Sequence, residues 1–360
     1  MMSNSIRRQR LAAIVFSAGM GLTFACTAAP ADGGSIQALI AQAKPGSTIT
    51  LPPGDYPESG VKANPSAPVT ILGPGAIIHG LQLDGSSNLI FRGEEFVVQP
   101  RTGLAIGTTN GSRNLAFDQV NIHRPAGGAE GTGVFFRNSS NVSITNSDIH
   151  DVAVGIQHLN TDHVTIARNS IHDITGDGIH GAGTSFITID GNRIFNLFTQ
   201  PGDHPDAIQF FTYGQTAGAT DITITNNDIR QGKGGPVQGI FLGNESNLPY
   251  SRVRITGNLV MGGMWNGIAV GIGIDPVVED NYVQAHTDNW DDKHTQVMTP
   301  WIVLESTGGS LKNNVSTAYL LDKAVGLAQA GNAKIGNAKP GDYSGAEKWL
   351  HRHDPGAKAR

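Results

Sequence analysis

The chain is poor in cysteine, charge and aromatic side chains. Cys26 is its only cysteine in 360 residues. Internal disulfides are therefore excluded, and stability has to come from a large core. Charged residues make up only 15% and aromatics 6%. Beyond the N-terminal segment no stretch reaches ~18 uninterrupted apolar residues, so no membrane span is expected. Hydrophobic content of 39% nevertheless places the chain outside the disordered class. What is abundant is turn formers, with 47 glycines and 18 prolines. That balance fits many short strands joined by many turns.

The N-terminus reads as a targeting segment. Arg7, Arg8 and Arg10 precede the apolar run LAAIVFSAGMGLTFA, and small residues follow in CTAAPAD. A basic region, an apolar region and a cleavage zone in this order imply export to the periplasm or beyond, with residues 1–31 removed. RRQRL also admits twin-arginine export. LTFAC partly matches a lipoprotein box, which makes lipidation of Cys26 the lesser alternative. Without the three arginines, 22 basic residues face 30 acidic ones, a net charge of −8. No nucleic-acid partner is expected.

The main architectural signal is a repeat. The motif apolar-x-apolar-x-x-Asn-x-apolar recurs as VTIARNSI, ITIDGNRI, ITITNNDI, VRITGNLV and VVEDNYV. Its asparagines are Asn169, Asn192, Asn227, Asn258 and Asn281, with Asn314 following, at spacings of 23, 35, 31, 23 and 33. Two strands around the Asn turn and a third reading VGIQ, DGIH, DAIQ, QGIF or NGIA make one coil. Such a period indicates a solenoid. We expect an all-β fold, a right-handed single-stranded parallel β-helix over residues 32–321, with 322–360 as C-terminal cap and tail. The asparagines suit the turns through their tolerance of left-handed backbone and amide stacking between coils. SIQALIAQAKPGSTITLPPGDY supplies a short N-terminal capping helix, with Ser35 as N-cap and Ile36, Leu39, Ile40 and Ala43 on its inner stripe.

On the cap, the Asn ladder and the Gly-Ile strands, residues 33 to about 320 resemble the pectin-lyase-like superfamily. That resemblance implies a β-helix acting on acidic polysaccharides. One fold hosts several chemistries, however, so the site has to be argued separately.

Aligning the Gly-Ile strands gives a column Val154, Asp177, Asp206, Gln238, Asn266 and, after Ile, a column Gln157, His180, Gln209, Phe241, Ala269. Neighbouring coils lie ~4.8 Å apart, so Asp177 and Asp206 should stack beside His180 and Gln209. Two carboxylates one rung apart need a shared proton, a cation or a cationic substrate group. They are candidates for acid/base work or for calcium, the one metal expected here. The plainer reading is that each caps a turn. Strict alternation would point Asp206 inward with Ile208, so the strand should begin at residue 207.

Insertions cluster around these strands and bring Asp203, His204, Tyr213, Arg230, Lys233 and Tyr250 towards the pair. Gln209, Gln238 and Asn266 become substrate contacts. The resemblance adds that Asp177 in GDGIH and Asp206 in PDAIQ match the catalytic Asp-Gly-apolar pattern of polygalacturonase-like hydrolases. The Gly-His-Gly and Arg-Ile-Lys motifs of those hydrolases are absent. Asp203-His204-Pro205-Asp206 is similar to the Asp-Pro-His-Asp run of mannuronan C5-epimerases, with the middle residues exchanged.

β-Elimination or epimerisation of a uronate needs a base, a cation for the carboxylate and an acid. His204 or His180 can serve as base, Lys233 or Arg230 as neutraliser, and Tyr213 or Tyr250 as acid. The favoured expectation is therefore an exported lyase or epimerase acting on a uronate polysaccharide. A hydrolase using Asp177, Asp206 and Asp203 is one rival, and a non-catalytic polysaccharide-binding solenoid is the other. His150-Asp151 and His172-Asp173 read as a solvated turn ladder with metal binding as the alternative. HTDNWDDKH (286–294) reads as a groove wall or sugar contact through Trp290.

Overall fold

The computed structural model describes residues 35–198, 203–285, 299–339 and 342–353. The expected signal segment with Cys26 and the HTDNWDDKH loop with Trp290 lie outside the described residues. Short strands wind one after another, each pairing in parallel with its counterpart one coil on. Three faces result. The first carries strands such as Asp162–Ala167, the second Ser170–Ile174 and the third Ile179–Ala182.

The repeat determines the register. On the third face Ile179, Ile208, Ile240, Ile268 and Ile302 stack rung upon rung. The second face stacks Ile149, Ile171, Ile194, Ile229 and Val260. Val164, Ile187, Ile222 and Val253 do so on the first. All of these side chains are buried and belong to one continuous core. Each contributes about 2 kcal/mol by leaving water. A one-residue slip would expose a whole column, so the register is strongly held.

At the corner between the first and second faces the asparagines form an unbroken ladder. Asn192 Oδ1 accepts from both the Nδ2 (2.9 Å) and the backbone N–H (3.0 Å) of Asn169. Asn227 does the same for Asn192, and Asn258 for Asn227. The left-handed backbone belongs to the residue before each ladder asparagine, such as Arg168 (φ 56°), Gly191 (φ 64°) or Asn226 (φ 55°). The expectation that the asparagines themselves adopt it is corrected. Their selection rests on the amide, which serves as donor and acceptor at once.

The ends differ from each other. Helix α1 (Ile36–Gln42) is capped by Ser35, whose Oγ accepts from the Ala38 N–H at 3.1 Å. Ile36 and Ile40 are buried against the first coils. The stack continues past the expected boundary at 321. Strands Ala328–Ala330 and Ala333–Lys334 pair with the preceding coil, and Asn332 extends the ladder from Asn314. Small alanines in place of Ile and Val hid this last coil. Helix α2 (Ser344–His353) does not close the end. It packs on the outside of the second face, where Ala346 and Trp349 cover Leu259, Met261 and Tyr282.

Candidate functional site

The third face carries the site. Its strand Asp206–Phe211 begins one residue earlier than alternation suggested. The reason is a corner where two successive residues point inward. Ala207 and Ile208 are both in the core. One rung back, a Cβ on Gly178 would lie 2.9 Å from Ile194 Cγ2 and 2.5 Å from the Ala207 carbonyl oxygen. Parity therefore slips at this column, and the preceding aspartates turn away from the core.

Asp177, Asp203, His204, Asp206 and Gln209, with Thr175, Gly176 and Pro205, line a cleft of about 350 Å³. Asp203 and His204 are exposed at its rim, while Asp206 has 0% exposure at its floor. Asp177 lies between, with its side chain 21% exposed. The expected stacking is present: Asp206 pairs in register with Gln238, and the Asp206 N–H donates to Asp177 Oδ1 at 2.9 Å. Asp177 thus does cap its neighbour's backbone. Its other oxygen, Oδ2, lies 2.8 Å from His180 Nδ1. Both oxygens of Asp177 are committed. His180 is left with an Nε2 that is shielded from solvent and has no partner among the described residues.

Asp206 differs from its partner. Its Oδ2 accepts from Gln209 Nε2 at 3.0 Å, but its Oδ1 has no hydrogen-bond partner among the described residues. Burial, reinforced by the Asp177 carboxylate, pushes the Asp206 carboxyl up to about 8. A carboxyl group in that state holds its proton at neutral pH and can donate it. Pure turn-capping explains Asp177 but leaves Asp206 unexplained.

Beyond Asp206 the column continues as an amide track. Gln238 Oε1 accepts from Asn266 Nδ2, and Asn266 Oδ1 accepts from Trp301 Nε1 at 3.1 Å. Trp301 opposite Asn266 was not singled out in the sequence. The disguise was MTPWIV, which lacks the Gly-Ile signature.

Three expected contacts are elsewhere. Arg230 lies on the second face, nearly buried, with its Nε 2.6 Å from Asp228 Oδ1 and its guanidinium over the Tyr343 ring. It cannot neutralise a ligand in the cleft. Tyr250 is 1% exposed and donates to the Gly243 carbonyl, and burial raises its hydroxyl pKa, so it is a packing residue and no acid. Tyr213 is 76% exposed but follows the far end of the Asp206 strand, roughly 20 Å along it. Lys233, by contrast, is exposed on the turn leading into the next rung, its N–H held by Asn196 Oδ1. The three misplacements share a cause: insertion length brings a loop to the sheet without fixing which edge it crosses.

The calcium expected at Asp177 and Asp206 does not fit this geometry. Calcium takes six to eight oxygens from ionised or carbonyl ligands. Here both Asp177 oxygens are already engaged, Asp206 is fully buried, and no three acidic or histidine groups converge among the described residues.

The expected histidine ladder is present on the second face. His150 and His172 stack with ring centroids 5.4 Å apart. Each places Nδ1 against the following aspartate, Asp151 or Asp173. His123 joins at 5.3 Å, a member missed because Arg124 follows it in place of aspartate. His172 Nε2 lies 3.0 Å from Asp148 Oδ1, a bond that raises the pKa of the imidazole. With their nitrogens so engaged, these rings form a structural ladder.

No helix among the described residues is long and apolar enough to cross a membrane. A family model described as a right-handed beta helix region matches residues 75–200. Among solved structures, the chain is similar to PfbA, a surface adhesin of Streptococcus pneumoniae, at 13% identity and a TM-score of 0.56 over 81% of this chain and 84% of that one. The Agl-KA catalytic domain aligns at 14% identity and 0.53, over 88% and 70%. DFA-IIIase from Arthrobacter chlorophenolicus A6 aligns at 12% and 0.52, over 87% and 82%. No curated protein matches the sequence. Likeness at such identities extends to the fold alone. By fold, the chain is a right-handed parallel β-helix.

Proposed function

We propose that the protein is an exported carbohydrate-active enzyme that removes a proton from a uronate unit of an acidic polysaccharide, by β-elimination or C5-epimerisation. The observation that carries this reading is the commitment of both Asp177 oxygens beside a protonated Asp206. A carboxylate so engaged is poorly placed to act as nucleophile or to activate water, the tasks a glycosidase requires of it. Instead it fixes the His180 ring with the proton on Nδ1 and the lone pair on Nε2, the arrangement of an oriented base.

The C5 proton of a uronate becomes removable when charge on its carboxylate is neutralised. The Asp206 O–H supplies a hydrogen bond for that purpose from the cleft floor, and His204 stands at the rim. His180 Nε2 takes the C5 proton. The electron pair then either expels the C4 oxygen, which leaves as an alcohol with the proton carried by His180 and gives an unsaturated end, or takes a proton from water on the opposite ring face. The shielding of Nε2 in the free protein means that the transfer requires ligand-induced opening.

The test is incubation with a panel of polyuronides, following the ultraviolet absorbance of unsaturated uronate and the sugar configuration by NMR. New reducing ends without absorbance would show hydrolysis and refute the assignment of His180. Binding without any chemical change would place the protein with adhesive solenoids.

A further inference from the structure

The His180 side chain is 19% exposed, yet its Nε2 is shielded from solvent and has no partner among the described residues. The cover over that atom is therefore apolar. The bond to Asp177, which precedes the strand Ile179–Ala182, turns Nδ1 towards the start of the strand and Nε2 towards its end. There the Phe211 ring meets the imidazole at 80°, with ring centroids 5.8 Å apart. Phe211 is the last residue of the strand on the next rung, and its register partner one rung back is Ala182. Ala182 is too small to hold the ring off. It is itself only 1% exposed, as a ring leaning back over it requires.

We propose that Phe211 is a side-chain gate over the base: its ring covers His180 Nε2 in the free protein and swings away when a uronate chain enters the cleft. The inference rests on the functional reading above and deepens it, because it assigns the opening which that reading requires to one residue.

The surroundings of Phe211 describe a rotor on a fixed backbone. Its strand pairs with a neighbour on both sides. The residue that follows is pinned, since Glu245 Oε2 accepts from the Thr212 N–H at 2.9 Å and from its Oγ1 at 3.2 Å. Thr212 Oγ1 in turn accepts from the Ser246 N–H at 2.9 Å. Moving the backbone would break these bonds. The ring makes no hydrogen bond and is half-buried on the outward face, so rotation about χ1 gives up contact area alone. The open rotamer is then a minor state of about 1–10%, and a ligand that needs Nε2 selects it.

Diethylpyrocarbonate acylates an accessible, unprotonated imidazole nitrogen and so tests the gate without substrate. Peptide mass spectrometry on the full chain at neutral pH compares His180 with the exposed His204 of the same molecule. In the parent, His180 should react at about one-tenth of the His204 rate or less. Phe211→Ala should bring the two rates to within about threefold, whereas Phe211→Tyr keeps the ring and should keep the protection. Phe211→Leu should fall between them and serves as the test if the alanine variant does not fold, which a thermal melt establishes. Rapid modification of His180 in the parent, or protection that survives both Phe211→Ala and Phe211→Leu, would overturn the gate. With a polyuronide, the open fraction scales the apparent affinity, so Phe211→Ala should lower KM about tenfold with kcat within about twofold. An unchanged or raised KM would also overturn it. Exposure of His180 in Phe211→Ala without turnover by either protein retains the gate and refutes the proton-transfer reading. Turnover by a parent in which His180 reacts as fast as His204 does the reverse.

Discussion

Replacing Asp206 by asparagine separates a protonated hydrogen-bond donor from a structural carboxylate. In the folded protein Asp206 is pushed up to about 8, by burial first and by Asp177 second. In the unfolded chain it titrates near ~3.9. Between these values the native state holds a proton that the unfolded state has released. Stability is therefore full below pH ~4 and falls as pH rises, by about 1.4 kcal/mol per pH unit, reaching a loss of about 5 kcal/mol near pH 8. The side-chain amide introduced by Asp206→Asn is close to isosteric with the protonated acid and carries no such penalty. Roughly 300 ordered residues at ~2.1 cal/mol/K each give an unfolding entropy of about 0.6 kcal/mol/K. The Tm advantage of Asp206→Asn should then grow by about 2 °C per pH unit between pH 4 and 8. Differential scanning fluorimetry of both proteins across a pH series measures it, and other titrating groups cancel in the difference. Turnover should fall by about 10–100-fold, because the amide N–H is a weaker donor to the uronate carboxylate than the acid O–H. A Tm difference that is flat with pH, or a variant that melts earlier throughout, would refute the protonated floor and return Asp206 to a structural role.

His180→Ala should lower turnover by about 10²–10⁴-fold with little change in Tm, since Asp177 keeps its bond to the Asp206 N–H; steady-state rates and a thermal melt check this together. Asn227→Ala removes a side chain that accepts from the N–H and Nδ2 of Asn192 and donates to Ile189 O and Asn258 Oδ1. Leaving those buried groups unpaired should cost about 3–4 kcal/mol, read by urea denaturation. His158 is fully buried against Phe210 with neither ring nitrogen bonded among the described residues, and burial pushes its pKa down to about 3. Its contribution is full above the unfolded value of ~6.5 and is lost as pH falls towards 3. His158→Phe should therefore gain about 3 kcal/mol on the parent at pH 4 relative to pH 7, and a difference independent of pH would refute the buried neutral imidazole.

The sequence by itself determined the solenoid and the rung order of the site, though not its last, alanine-rich coil. A parallel β-helix pairs each coil with the next, so contacts distant in sequence are written as a repeat. Ile179, Ile208 and Ile240 meet because they hold equivalent places in the motif. The same logic places Asp177 beside Asp206 and His180 beside Gln209 from the repeat alone. Only the tertiary structure decided what each group experiences there. The double inward step at Gly178-Ile179 and Ala207-Ile208 turned the aspartates to the cleft, which strict alternation had forbidden. It also buried Asp206 while leaving Asp177 bonded twice, a difference that two matching Asp-Gly and Asp-Ala signatures do not encode. Arg230 and Tyr250 went to a different face and into the core because a loop's path depends on what it packs against. Repetition transmits register through the sequence. Burial, edge and protonation belong to the folded surroundings.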